Sequence, residues 1–373
     1  MHSFCLFLLT YLDCKEGFSM PDCKTTMTIL GMSGAGKTCY LLGMYYELSA
    51  GMRGYTITTN DDDDVHLKDL YNNLNDEKGP NRFPAGTDSS VSYQFQLRCN
   101  YKTLMDFNWV DYPGGYLDRK TQGNLDDYRR VERSILESSC LFVCIDGNLL
   151  CGKNTEKKIR DIRHKCGSIM NSFFASYMDK HGELPPTAFI ITKYDKCCND
   201  TDEEEISEII EEAFNAFFHK PDKGHSIVAI IPVSIGMNID EEEEDVLDPL
   251  NIQLPIFMGI YFALGDRIAV AVEDKEKIKK EKKEKIEKEI EKLQEIINQE
   301  NDMWWFLRDT DRRDRAAAKK NQLTTQNLSS TEISQLTDFI ANKSKYLDKL
   351  RKEVRQINLV FVDGEKREDL TKI

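Results

Sequence analysis

Apolar residues fall into two regimes along this chain. Up to about residue 265, short continuous apolar runs alternate with longer segments whose apolar positions recur every three or four residues. Met27–Leu30, Cys140–Asp146, Thr187–Thr192 and Ile227–Val233 are runs of the first kind and predict buried strands. Cys39–Leu48, Glu156–Lys180, Glu203–Phe218 and a segment opening near Pro255 predict helices. Between the first helix and Gly79-Pro80 lie a polar stretch at Asp61–Asp64, read as a solvated loop, and a short helical pattern at Val65–Leu74. Val91–Leu97 alternates with period two and Thr103–Val110 does so more loosely, which predicts a hairpin with a five-residue turn. Strands alternating with helices of this length predict an α/β fold. Its sheet is mostly parallel, with helices on both faces and one antiparallel edge hairpin.

Beyond residue 268 the pattern changes. Lys275–Lys292 is almost entirely Lys and Glu. Ile286, Ile290, Leu293 and Ile297, and later Ile333, Leu336, Ile340, Lys343, Leu347, Leu350, Val354 and Ile357, recur at three-four spacing as narrow apolar stripes, with one lysine in the second seam. These predict helices that either fold back as an antiparallel hairpin or pair between chains as a coiled coil. Leu359–Gly364 predicts a terminal strand and turn. Three segments follow: an N-terminal extension (1–20), an α/β domain (21–268) and a charged helical extension with the terminal strand (269–373).

The net charge of −14 argues against general nucleic-acid binding. Eleven cysteines without a C-x-x-C pair or a framework fit a reducing, cytoplasmic setting with buried thiols. Residues 1–12 have a short apolar run without a basic start or a small-residue cleavage site. They read as an extra surface or sheet-edge segment, or as a start upstream of a natural one at Met20. No segment reads as transmembrane. The acidic runs Asp61–Asp64 and Asp240–Asp245 lack the spacing of a calcium loop.

Candidate chemistry gathers at predicted strand ends. Gly31-Met-Ser-Gly-Ala-Gly-Lys37-Thr38 fills every fixed position of G-x-x-x-x-G-K-[ST] after a strand and before a helix. Backbone amides of such a loop converge on phosphate oxygens, the lysine reaches the β- and γ-phosphates, and the Thr hydroxyl can ligate Mg²⁺. Asp111 closes a strand and heads D-x-x-G with Gly114. Thr192-Lys193-Tyr194-Asp195 follows an apolar strand, and a carboxylate there can accept from both N1–H and the exocyclic amine of guanine. Ser234 ends the next strand, where its backbone can close over the base.

Together these residues resemble the Ras-like, translation-factor-related (TRAFAC) class of P-loop GTPases, as a bacterial-type stand-alone GTPase with a helical C-terminal extension. The resemblance covers about residues 25–265. It implies GTP or GDP with Mg²⁺, hydrolysis of GTP to GDP, and a molecular switch acting on a partner or an assembly. Carried over, Gly31, Ser33, Gly34, Ala35, Gly36, Lys37, Thr38 and Cys39 bind phosphate, and Thr192, Lys193, Asp195 and Ser234 bind guanine. Thr38, Thr87 and Asp111 hold the metal, while Lys37, Thr87 and Gly114 serve the reaction. Thr58 and Thr59 are alternatives to Thr87 as the switch threonine. The chain departs from the class in an insertion between Tyr55 and Pro84 and in Thr192 where Asn is commoner. It also has Gly115-Tyr116 where a water-positioning glutamine is expected. Gln122 lies nearby in sequence, and Arg82 or Arg119 offers a positive charge in cis. Hydrolysis is expected to be slow without a partner. A non-hydrolysing nucleotide-gated scaffold, or an ATPase or kinase built on the same loop, are the alternatives. The helical extension is expected to contact a protein partner, including another copy of the chain. Its basic cluster, Arg308 to Lys320 behind Trp304-Trp305, reads as a solvated helix face.

Overall fold

A computed structural model describes residues 25–76, 82–86, 90–114, 125–221, 224–236, 247–304, 307, 309–325 and 331–371. In chain order the first elements are β1 (Thr25–Gly31), α1 (Lys37–Ala50), β2 (Tyr55–Thr58), α2 (Asp61–Asp76), β3 (Val91–Cys99) and β4 (Lys102–Asp111). Then come α3 (Leu125–Leu136), β5 (Cys140–Asp146), α4 (Thr155–Ile162), α5 (Ser168–His181), β6 (Thr187–Thr192), the single turn α6 (Tyr194–Cys197), α7 (Glu203–Ala213) and β7 (Ile227–Pro232). The chain ends in α8 (Leu254–Asp302), α9 (Thr310–Thr324), α10 (Thr331–Val354), β8 (Leu359–Val362) and β9 (Glu365–Arg367). Two compact units result. Of the described residues, one comprises 25–266 together with Lys345 onward, and the other spans Arg267–Ser344.

Among the described residues the first unit holds one nine-stranded sheet in the order β2-β3-β4-β1-β5-β6-β7-β8-β9. Its centre, β4-β1-β5-β6-β7, is parallel. β5, β6 and β7 are apolar at nearly every position because both faces are covered, and every residue of β6 and β7 is buried. On one face Val131, Ile135, Ile162, Phe173, Phe174 and Ile209 pack over β5 and β6. Elsewhere in the unit Trp109 stacks on Phe142 at 5.3 Å, with Tyr40 6.0 Å from the same indole. The first turns of α8 bury Ile256, Phe257, Met258, Ile260 and Leu264. At about 1.5–3 kcal/mol per fully buried large side chain, this sandwich dominates the unit's stability.

Several expectations are corrected. The β3–β4 turn has two residues, not five: Asn100 and Tyr101 both take left-handed φ (49° and 62°) and Cys99 pairs with Lys102. That is the twist-matched geometry of a tight hairpin. Asp61–Asp64 is no loop but the first turn of α2, where carboxylates complement the exposed amides of a helix N-terminus. β2 was hidden in sequence because it has only four residues, Tyr-Thr-Ile-Thr, half of them facing away from the core. The long helix at 156–180 divides at a π-turn, Arg163–Gly167. The terminal strand joins the first unit rather than the helical extension. β8 runs antiparallel to β7 with all four residues buried, and Asp363 fastens it by accepting from Ser226 N–H (3.0 Å) and binding His225 Nδ1 (2.9 Å). Finally, α8 is long and apolar enough to cross a membrane by length and composition, although much of its apolar stretch is buried in the first unit.

In the second unit α8 and α9 pack as an antiparallel pair. Arg312 meets Glu300 (3.2 Å), Lys320 meets Gln294 (2.6 Å) and Lys319 meets Glu289 (2.6 Å), so higher numbers on one helix face lower ones on the other. Among its described residues Ala271, Leu293, Ala316, Ile333 and Leu336 are the buried apolar side chains.

Candidate functional site: a phosphate loop joined to two strand ends

β1 ends at Gly31, opposite Cys144 of β5. The loop that follows turns on an Ala35 N–H to Met32 O bond (3.1 Å), and α1 starts at Lys37 behind Gly36, whose φ of 74° favours glycine. Lys37 is 6% exposed, and its ammonium folds back on the loop, donating to Gly31 O (2.9 Å) and Met32 O (3.2 Å). Burial lowers its pKa, and the nearby Asp111 carboxylate works against that.

Asp111 is the last residue of β4 and is paired with Ile29 of β1, which sets it beside the loop. It is 3% exposed, and Oδ1 has no hydrogen-bond partner among the described residues. Burial pushes its pKa up to about 6, opposed by Lys37. Three residues on, Gly114 packs directly on the loop backbone. A Cβ there would lie 2.0 Å from Ser33 N and 2.3 Å from Met32 C, so only glycine fits.

The ends of β6 and β7 reach the same loop. Thr192 Oγ1 is 2.8 Å from Ala35 O and 3.0 Å from Ile145 O, and Thr192 is buried. Lys193, at φ 51°, donates from Nζ to Gly34 O and to Asp146 Oδ2, both at 2.8 Å. Asp195 is buried, and its Oδ1 lies 2.7 Å from Ser234 Oγ, which in turn accepts from Gly236 N–H (3.1 Å). A cleft of about 350 Å³ opens over this arrangement. Residues Ser33 to Cys39, Gly114, Thr192, Lys193 and Asp195 all line it. The Cys39 thiol is pushed by burial to about 11 and stays protonated at neutral pH.

Gly31 and Asp111 stand at the base of the loop, and Ser234 stands behind Asp195. Thr87, Gly115, Tyr116, Arg119 and Gln122 lie outside the described residues. Thr58 and Thr59 belong to the β2–β3 edge: Thr58 pairs with Gln96, and Thr59 donates to Gln94 O (2.8 Å). Arg82 is no free cation in the cleft. It is 2% exposed, and its Nε donates to Leu74 O (2.8 Å) at the end of α2. Sequence reasoning missed Asp146, Asn148 and the Phe83–Gly86 segment, of which Asn148 and Phe83–Gly86 line the cleft. Asp146 did carry a signal, since an acid closes the apolar run of β5 as Asp111 closes β4.

No curated protein sequence matches this chain. Among solved structures it is similar to a nucleolar GTP-binding protein 1 from Plasmodium falciparum, with 11% identity over 68% of this chain and 93% of that one and a TM-score of 0.33. It is also similar to the Arl6 small GTPase from Trypanosoma brucei (10% identity, 57% and 87% covered, TM-score 0.30). A third is the Ski7 GTPase-like domain of S. cerevisiae (14% identity, 60% and 46% covered, TM-score 0.33). These likenesses are faint and carry no weight beside the site's own geometry. A family model described as Double-GTPase 2 matches residues 25–235, which takes in every strand from β1 to β7 and all four sequence motifs at the cleft except the final glycine beyond Ser234. The chain thus carries a P-loop, and it belongs to the Double-GTPase 2 family.

Proposed function

We propose that the cleft binds GTP and GDP with Mg²⁺, that GTP is hydrolysed there to GDP, and that the change of nucleotide switches the chain's grip on a partner. The observation that carries this reading is that hydrogen bonds tie the loop to the strand end that carries Asp195. Thr192 touches Ala35 O, Lys193 touches Gly34 O, and Ser234 holds Asp195. A loop tied to the strand end that presents Asp195 couples phosphate grip to purine choice. On a guanine, Asp195 accepts two N–H bonds. Adenine presents an acceptor at N1 and no amine at C2, so it offers the carboxylate neither bond, at a cost of about 1–3 kcal/mol or more.

The residues present fit a hard divalent cation. Asp111 is a buried carboxylate with an orphaned oxygen, and Thr38 is the hydroxyl of the loop's final position. Thr38, Asp111 and Thr87 are the proposed ligands. Bound there, Mg²⁺ would supply positive charge against the phosphates. The chain's own part is to hold charge as water attacks the γ-phosphate in line. The Lys37 ammonium exchanges its two carbonyl partners for phosphate oxygens, and loop amides with the Gly114 N–H complete the cradle. Thr87 is the proposed sensor of the γ-phosphate.

Gly115-Tyr116, where a glutamine is expected, favours a second reading, a nucleotide-gated scaffold that does not turn over. Multiple-turnover phosphate release in magnesium buffer separates the two. Competition of GDP and ADP for the cleft tests the base. Asp195→Asn should weaken GDP about 100-fold or more, from about 3 kcal/mol of lost hydrogen bonding, and leave weak ADP binding unchanged. Equal losses for both nucleotides would remove Asp195 from the base. We further propose a cytoplasmic setting and a protein partner, or a second copy, on the charged helices.

A further inference from the structure

The turn Asp111-Tyr-Pro-Gly114 closes β4, and all four of its residues are buried. Pro113 fixes its own φ and keeps Tyr112 out of helical backbone, so the turn has little internal freedom. Of the four, Gly114 lines the cleft and Tyr112 does not. Tyr112 is 5% exposed and belongs to the buried cluster that holds Val131 and Ile135 of α3.

Its hydroxyl ends a chain of buried hydroxyls. Tyr112 O–H donates to Arg130 O of α3 (3.0 Å). Ser134, one helical turn further along α3, hydrogen-bonds the same phenol. Burial raises the phenol's pKa and the Ser134 bond works against the rise, as a donor to the phenol oxygen would. Ser134 Oγ lies 3.0 Å from Thr28 Oγ1 of β1, and Ser138 Oγ lies 2.5 Å from that same Thr28 oxygen. Thr28, Ser134 and Ser138 are all buried. A carbonyl has no proton to give, so the Arg130 end fixes the direction of the chain: Thr28 gives to Ser134, Ser134 to Tyr112, and Tyr112 to Arg130 O. Bonds that point one way polarise one another, and a buried hydroxyl that loses its partner costs more than the bond itself contributes.

The two ends of this chain flank the phosphate loop. Thr28 sits on β1, the strand that runs into the loop at Gly31. Tyr112 sits between Asp111, which pairs with Ile29, and Gly114, where a Cβ would fall 2.0 Å from Ser33 N. Apolar packing tolerates small slides between such segments, whereas a hydrogen bond weakens steeply once its angle is lost.

We propose that Tyr112 is a positioning residue of the cleft: through its hydroxyl, β1 and α3 hold the turn 111–114 so that the Asp111 carboxylate and the Gly114 amide stay in register with the phosphate loop. The inference rests on the reading of the cleft as a site for guanine nucleotide and Mg²⁺, and it assigns the tyrosine to the metal and terminal-phosphate end, away from Asp195 and Ser234.

Tyr112→Phe removes one oxygen and keeps the ring. Calorimetric titration of the nucleotide-free chain with the β,γ-imido analogue of GTP, in magnesium and in chelator, gives two affinities whose ratio reports the metal end. That ratio should fall about tenfold in Tyr112→Phe, the scale of one buried hydrogen bond. Affinity in chelator, and the preference for GDP over ADP, should stay within about twofold of wild type. A tyrosine that only stabilised the fold would lower the melting temperature and weaken all nucleotides alike. Ser134→Ala cuts the same chain one step earlier; it should move the ratio in the same direction, and it carries the comparison alone should Tyr112→Phe not fold. The double variant should do no more than Tyr112→Phe, since one chain is then cut twice. An unchanged ratio, equal losses in magnesium and in chelator, or additive losses in the double variant overturns the proposal. A wild type with no magnesium gain, or with no preference for GDP over ADP, fails earlier and takes the reading of the cleft with it.

Discussion

Thr192→Val tests the link between the phosphate loop and the sheet. The change removes one hydroxyl and keeps the β-branched shape, so packing is almost untouched. The hydroxyl lies 2.8 Å from Ala35 O and 3.0 Å from Ile145 O, and the residue is 4% exposed. Its single proton serves one carbonyl at a time or is shared between them, so one buried hydrogen bond disappears and a buried carbonyl loses its donor. The two effects together come to about 1–3 kcal/mol. Where the hydroxyl holds the loop ready for phosphate, the loss appears in GDP affinity as a five- to hundredfold rise in Kd, at about tenfold per 1.4 kcal/mol. The remainder appears in the melting temperature of the nucleotide-free chain, at about 2–4 °C per kcal/mol for a unit of this size. Calorimetric titration with GDP and thermal melts of wild type, Thr192→Val and Thr192→Ser measure both. Serine keeps the donor and should recover most of the affinity. If Thr192→Val binds GDP within about twofold of wild type and melts at the same temperature, the hydroxyl does not anchor the loop, and one of the ties from loop to strand end is lost.

Two further outcomes are expected. Gly114→Ala places a Cβ 2.0 Å from Ser33 N, so loop and turn must separate. It should cost about 1–3 kcal/mol of stability and lower nucleotide affinity with it; an unchanged melt and an unchanged Kd would show that this turn moves freely off the loop. Asp111 has a folded pKa of about 6 against 3.8 in the reference state, so the folded chain binds that proton more tightly. The carboxyl's contribution to stability is therefore full at low pH and is lost as pH rises through about 6. In chelator, Asp111→Asn should melt higher than wild type at pH ~8, by up to about 3 kcal/mol, and the gap should close near pH ~4. A gap that does not change with pH would mean that burial of this carboxylate is not what separates the two proteins.

β5, β6 and β7 were legible because they are buried on both faces, which leaves them few polar positions. Cys140–Ile145 and Ala188–Ile191 are fully buried, and they stand out in the sequence as uninterrupted apolar runs. The edges were less legible for the opposite reason. β2 has only two inward residues, Tyr55 and Ile57, too few to show a period. β8 reads clearly as a strand, but nothing local in Leu-Val-Phe-Val says that it crosses back to β7, since that pairing is fixed by contacts more than a hundred residues apart, such as Asp363 with Ser226. The start of α2 was hidden because four consecutive aspartates look like a solvated loop until the amides they face are seen.

The site shows the same division between what residues announce and what contacts decide. Gly31 to Thr38 declares itself, because phosphate binding constrains the backbone and the backbone constrains the residue types. Thr192 announces much less, since threonine stands where the related class has asparagine. What the position requires is a short donor that reaches a carbonyl of the loop and one of β5. The loop approaches closely enough for a hydroxyl to serve: a Cβ on Gly36 would come within 3.2 Å of Thr192 Cβ. A longer amide is unnecessary at that distance. Lys193 then pays for a left-handed backbone, a strain of about 1–2 kcal/mol, that the next residues need in order to turn Asp195 into the cleft. Its two charge-assisted bonds, to Gly34 O and Asp146 Oδ2, offset that strain even at a partly exposed site. Asp146 therefore acts on the Asp195 end of the cleft through Lys193, a connection that runs through space between β5 and β6 and leaves no motif in the sequence.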